Sequence, residues 1–266
     1  MRIGAHVSIG RGFPKIFDNI KVLGGNCCQI FSHSPRTWKF KDVRERKVEA
    51  FRKRYKEEDI VPVVIHNSYL VNLASMKKEI HEKSMRNMRQ ELETAEVLGI
   101  DYVNIHPGSN KDTQVGLDRI VDSLNEIETN AYLLLENTAN KIGSEFEHLQ
   151  YIMERVSMKC GVTLDTCHAY DAGYDIVNKL DSVLDEFDST IRLENLKCIH
   201  LNDSKYGLGS CRDRHEHIGF GEIGEEGFRN FINHPKLRDI PMILETPVDK
   251  QRGFRENIAA VKALRE

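Results

Sequence analysis

Residues 92–106 read LETAEVLGIDYVNIH, and these fifteen residues hold the unit from which the fold is assembled. Leu92, Ala95 and Leu98 recur at threes and fours, the period of a helix with one apolar face. Gly99 stands where a helix end favours a left-handed residue, so the helix expected over 75–98 stops there. A short apolar run then begins at Tyr102 and ends on His106. It is too brief for a helix, and its last residue is ionisable.

Outward from this unit the pattern repeats. Strand-like runs lie at 2–7, 27–31, 62–66, 102–106, 133–136, 161–165, 196–200 and 241–245. Helix-length segments lie at 13–23, 43–59, 75–98, 113–128, 145–155, 176–187, 225–233 and 252–265. Strand-then-helix eight times, joined by right-handed crossovers, closes a barrel. The expected fold class is therefore α/β, a single (β/α)8 barrel of the TIM type over residues 1–266. A chain of 266 residues suits one such domain, and no Pro/Gly/Ser linker or low-complexity stretch divides it. The methionines at 76, 85 and 88 are expected to pack from the third helix onto the barrel.

Six of the runs stop on a metal-ligand residue: VVIHN at His66, VNIHP at His106, LLLEN at Glu136, VTLDT at Asp165, KCIHL at His200 and MILET at Glu245. One histidine at a strand end is ordinarily a hydrogen-bonded structural residue. Six ligand types at the strand ends of one barrel converge on one face, the face where barrel enzymes keep their chemistry. Three more ligand types follow in segments expected to be loops: His168 in DTCHAY, and Asp213 and His215 in RDRH. Nine imidazoles and carboxylates without a thiolate suit zinc or manganese in a catalytic site, and are too many for one ion. A carboxylate such as Glu136 can bridge two ions. His33, His81, His148, His217 and His234 read as structural or surface residues, and His6 as one that could support the cluster. The loop from His200 to the helix near Glu225 is long enough to be functional in itself.

Composition excludes several classes. With 40% apolar and 30% charged residues the chain is an ordinary globular one. No apolar stretch approaches the roughly 20 residues of a membrane span. The N-terminus lacks the apolar core of a secretion signal. Six cysteines without a CxxC read as buried small residues in a reducing compartment, and the protein is expected to be intracellular. The net charge of −3 does not announce nucleic-acid binding. Residues 36–56, however, hold ten Lys or Arg against three acids. That run is either a solvated helix or a phosphate-facing patch, and composition does not choose between them.

The chain resembles the endonuclease IV family of metal-dependent apurinic/apyrimidinic endonucleases nearly end to end. GAHVS (4–8), HNSYLVNLAS (66–75), HPGS (106–109), ENTA (136–139), DTCHAYDAGYD (165–175), HLNDSK (200–205), DRHEHIGFGEIG (213–224) and ILET (243–246) appear in the family's order. The resemblance implies three metal ions, usually zinc. His66, His106 and Glu136 would hold the first; Glu136, Asp165, His200 and Glu245 the second; and His168, Asp213 and His215 the third. It implies hydrolysis of the phosphodiester 5′ to an abasic site in double-stranded DNA, by hydroxide generated near Glu136, with Glu245 as a second carboxylate of the catalytic pair of ions. Trimming of blocked 3′ ends is implied as well. Arg36, Tyr69 and Leu70 match positions that the family inserts through the minor groove at the lesion. The basic run then reads as a phosphate-tracking surface, and the protein is expected to work as a monomer wherever its DNA resides. The loop after Glu136 is shorter than is common in the family, and Thr163 stands where many members carry cysteine. A sugar isomerase or epimerase on the same barrel would leave the DRH loop without a purpose. A binding protein without catalysis would not need the full ligand set.

Overall fold

The structure, a computed structural model, describes residues 1–40 and 44–266. Lys41 and Asp42 of the basic run, and Val43 at the expected start of the second helix, lie outside the described residues. The strands are β1 (Ile3–His6), β2 (Cys27–Ile30), β3 (Val63–His66), β4 (Tyr102–Ile105), β5 (Tyr132–Glu136), β6 (Cys160–Asp165), β7 (Leu196–His200) and β10 (Met242–Leu244). All are parallel to their neighbours and close in the order β1, β10, β7, β6, β5, β4, β3, β2. Two further strands, β8 (Asp203–Ser204) and β9 (His215–Glu216), pair antiparallel outside the barrel within the long loop after β7. The eight expected strands are the eight of the barrel, each within two residues at either end.

Helices wrap the outside: α1 (Ile16–Leu23), α2 (Glu45–Glu57), α3 (Lys78–Leu98), α4 (Thr113–Asn125), α5 (Phe146–Met153), α6 (Thr166–Ala172), α7 (Leu180–Thr190), α8 (Gly224–Asn233) and α9 (Phe254–Leu264). Gly99 ends α3 with φ 75°, its N–H turned back to the carbonyls of Ala95 and Glu96. The start of α3 moves from 75 to Lys78 because the Ser75 hydroxyl accepts the Lys77 N–H and holds a turn. Met76, expected to pack on the barrel, therefore precedes the helix and is 63% exposed, while Met85 and Met88 are buried as expected. α7 starts and ends later than 176–187, since Asp175 folds back to accept the Asn178 N–H and delays the first turn.

Strand alternation divides the core in two. Outward residues such as Ile30, Ile65, Val103 and Leu135 join the helices in one large apolar cluster. Inward residues Cys27, Val64, Leu134, Cys198 and Ile243 form a second cluster that plugs the barrel. The interior is tight near β1: a Cβ on Gly4 would stand 1.7 Å from the Cys27 carbonyl oxygen, so only glycine fits. Cys211 departs from the expectation for cysteines and is exposed, and Cys160 is half-buried. Among the described residues no helix is long and apolar enough to cross a membrane.

Candidate metal centre

Two residues beyond four of these five inward apolar residues, the same parity delivers an ionisable one: Val64 then His66, Leu134 then Glu136, Cys198 then His200, Ile243 then Glu245. The plug thus gives way at the strands' C-terminal ends to imidazole and carboxylate. Glu136 lies at the centre with no solvent exposure. Its Oε2 is 3.2 Å from both His66 Nε2 and His106 Nε2, and its Oε1 is 3.1 Å from His200 Nδ1 and 3.3 Å from His168 Nδ1. One carboxylate therefore faces four imidazoles.

Donor atoms gather in three groups, each with all its atoms within 4.8 Å of one another. The first is His66, His106 and Glu136. The second is Glu136, Asp165, His200 and Glu245. The third is Asp165, His168 and His215. Asp213 stands beside this last group, its Oδ1 3.2 Å from His168 Nε2 and 3.7 Å from His215 Nε2. All nine sequence-predicted ligand residues come together, and Asp165 faces two groups where the sequence placed it in one.

His168 does not lie in a loop. Asp165 caps α6, accepting the His168 N–H at 2.9 Å, and so sets His168 in the first helical turn with its ring over Glu136. His215 is held in β9 rather than in open loop.

Four of the rings are oriented by a hydrogen-bonding partner on one nitrogen. His66 Nδ1 meets the Asn67 carbonyl at 2.6 Å, and His168 Nδ1 the Asn137 carbonyl at 2.9 Å. His200 Nε2 meets Gln29 Oε1 at 2.9 Å, and His215 Nδ1 the Glu245 carbonyl at 3.2 Å. A partner on one ring nitrogen fixes the tautomer that leaves a lone pair on the other, which is how metal-binding histidines are ordinarily held. His168 Nε2 and His215 Nε2 are buried and make no hydrogen bond, although a carboxylate oxygen is near both. Buried polar atoms aimed at a shared point without an aligned partner fit a coordination site.

Sequence reasoning missed the residues that hold the carboxylates. Gln29 Nε2 donates to Glu245 Oε1 at 2.5 Å, and Asn104 Nδ2 to Glu136 Oε2 at 2.5 Å. Asn202 donates to Asp165 Oδ2 at 2.7 Å and accepts the Glu245 N–H at 2.8 Å. Asn137 brackets the Asp165 backbone, accepting its N–H and donating to its carbonyl. For Gln29 and Asn104 the signal was there: each is the polar, inward member of an otherwise apolar run.

Electrostatics asks for cations. Burial alone would raise the Glu136 carboxyl, yet the charges of His106 and His200 hold it well below the ordinary carboxylate range. Glu245 behaves alike, burial opposed chiefly by His200. Burial works against charging His200 as well, but Glu245 and Glu136 push it up to about 9. Asp213, drawn down chiefly by the neighbouring His168, falls to about 2. Four carboxylates gathered around five imidazoles are costly to remove from water without positive charge, and divalent ions supply it directly.

The DNA-reading candidates sit on the rim beside the first group. Tyr69 is 59% exposed, Arg36 is exposed and Leu70 half-buried. The Ser68 hydroxyl donates to the Pro35 carbonyl at 2.9 Å, tying the loop of Tyr69 to that of Arg36. The Phe31 ring links them inward, 6.3 Å from Tyr69 and 5.6 Å from His66 by ring centroids. Trp38 packs against the core. The basic run divides: Arg54 is held by Asp18 and Glu58 and Arg52 by the Glu96 carbonyl, whereas Arg44, Arg46 and Lys47 are exposed at the start of α2.

Residues 17–264 match the family described as xylose isomerase-like TIM barrel. A probable endonuclease 4 of Halothermothrix orenii is 44% identical over 100% of this chain and 99% of its own length. A probable endonuclease 4 of Thermosipho melanesiensis is 46% identical over 94% of each chain. Among solved structures, endonuclease IV from Thermus thermophilus superposes with a TM-score of 0.90 at 38% identity, covering 99% of this chain and 98% of that one.

Proposed function

The chain belongs to the endonuclease IV family, and from that premise we propose that it incises double-stranded DNA at abasic sites. The reaction is hydrolysis of the phosphodiester 5′ to the lesion, leaving a 3′-hydroxyl and a 5′-deoxyribose phosphate. Trimming of blocked 3′ ends would use the same centre. The observation that carries this reading is the single cluster of nine oxygen and nitrogen donor residues gathered around the buried Glu136, with Asp213 at its exposed edge.

Three divalent ions, zinc or in part manganese, would be held by these residues and would neutralise phosphate charge and activate the attacking water. His66, His106 and Glu136 would hold the first, and Glu136, Asp165, His200 and Glu245 the second. Asp165, His168, Asp213 and His215 would hold the third. Glu136 serves two groups because its two oxygens face different imidazoles, and Asn104 keeps it from turning. Gln29 does the same for Glu245 while orienting His200. No protein nucleophile is required.

Lesion recognition falls to the rim. An aromatic or apolar wedge must unstack the duplex, at a few kcal/mol per step, and that cost is least where a base is missing. Tyr69 and Leu70 supply the wedge and Arg36 fills beside it. Arg44, Arg46 and Lys47 track the phosphates. The protein acts as a monomer, one barrel meeting one lesion.

A duplex with one synthetic abasic site tests the proposal. The expected product is a 3′-hydroxyl end produced on the 5′ side of the lesion, with activity removed by chelation. No cleavage, or cleavage on the 3′ side by elimination, contradicts it.

A further inference from the structure

Asp203, in the HLND motif, has no solvent exposure and is not among the donors of the centre. Its carboxylate is instead a hub for backbone. Oδ1 accepts the N–H groups of Ser204 at 2.9 Å, Ile223 at 3.0 Å and Gly224 at 3.4 Å, and Oδ2 those of Gly219 at 2.9 Å and Gly221 at 3.0 Å. Among the described residues every one of these partners is main chain. Two of them, Ile223 and Gly224, are the first orphan donors of α8, whose own N-cap residue supplies no side-chain bond. A negative charge there also suits the helix dipole.

The loop fastened in this way carries Asp213 and His215. Its upstream limb pairs with the chain around Asp203: Asp203 lies opposite Glu216, Ser204 opposite His215, and the Lys205 N–H reaches the Arg214 carbonyl at 3.0 Å. Its downstream limb returns to the same place, the Glu222 N–H bonding the Ser204 carbonyl at 2.8 Å. Both limbs close on two residues, and the Asp203 carboxylate fills the space between them. Gly221 must be glycine for that closure, since a Cβ would stand 2.2 Å from the Ser204 carbonyl oxygen and 2.6 Å from Asp203 Oδ1.

We infer that Asp203 is the positioning residue for the third ion: it fixes the 213–224 loop on β8 and thereby sets Asp213 and His215 against His168. The inference rests on the three-ion reading given above. An asparagine in its place keeps the size but presents an amide donor toward backbone donors, so two or more of the bonds are lost. The first two ions, held by barrel strand ends, do not depend on this loop.

The test is zinc bound per chain under graded chelator competition, for wild type, Asp203→Asn and Gly221→Ala, with circular dichroism as the check on folding. Wild type is expected to hold three ions. Asp203→Asn is expected to keep two at unchanged affinity and to bind the third about ten- to a hundredfold more weakly, the usual scale for losing support behind a ligand. Incision by the variant should return as free zinc is raised. Three ions at wild-type affinity in Asp203→Asn overturn the inference and leave the three-ion reading standing. Fewer than three in wild type overturn both. Should Asp203→Asn fail to fold, Gly221→Ala decides: selective weakening of one ion supports the inference, and parallel loss of all three, or none, contradicts it.

Discussion

Inside the barrel, Leu134 and Glu136 stand two residues apart on one strand, on the same face, each without solvent exposure. Their burial is equal and their energetics are opposite. Leu134 belongs to the apolar plug, where removal from water stabilises the fold. Glu136 is a buried carboxylate that is destabilising unless positive charge surrounds it. The pattern holds for Val64 and His66 and for Cys198 and His200, while Glu245 follows Ile243 on the same face but is partly exposed. The lower layer holds the barrel together and the upper layer is held by it, which is why one geometry serves both stability and chemistry.

Substitution should separate the two layers. The largest effect is expected for Glu136→Ala, which removes the carboxylate shared by two donor groups: incision should fall by about a thousandfold or more, with the circular dichroism spectrum unchanged. Retained incision would break the distinction between the layers. Leu134→Ala should act the other way, losing about 2–5 kcal/mol of stability through the cavity left in the plug. Chemical denaturation measures that loss, and the folded fraction should keep near-normal kcat. A smaller effect is expected on the rim. Tyr69→Ala should weaken binding of abasic duplex by about 1–3 kcal/mol, the scale of aromatic–base stacking, seen as a raised KM at nearly constant kcat. Equal, mild losses for Glu136→Ala and Tyr69→Ala would contradict the roles assigned to both.

How far the sequence was legible follows from the range of the interactions. The eight strands and the six strand-end ligands were readable because alternation and termination are local patterns. Gln29 and Asn104 obey the same alternation and could have been read from it. α6 could not: Asp165 is at once the last residue of β6 and the cap of the helix, and seven residues leave no room for an apolar stripe. β8 and β9 have two residues each, too few to alternate. Asn137 and Asn202 act on partners roughly thirty to forty residues away that the closed barrel brings near, and Asp203 on partners up to 21 residues on that the folded-back loop brings near. The basic run was ambiguous for a related reason, since Arg54 is matched by Asp18, 36 residues earlier.

We propose that the upper layer is a three-ion centre organised around Glu136. Metal content per folded chain, measured by elemental analysis for wild type beside Glu136→Ala, tests it most directly. Wild type should carry three ions and the variant at most one, that of the His168 and His215 group. One ion per wild-type chain, or three in Glu136→Ala, would contradict the account.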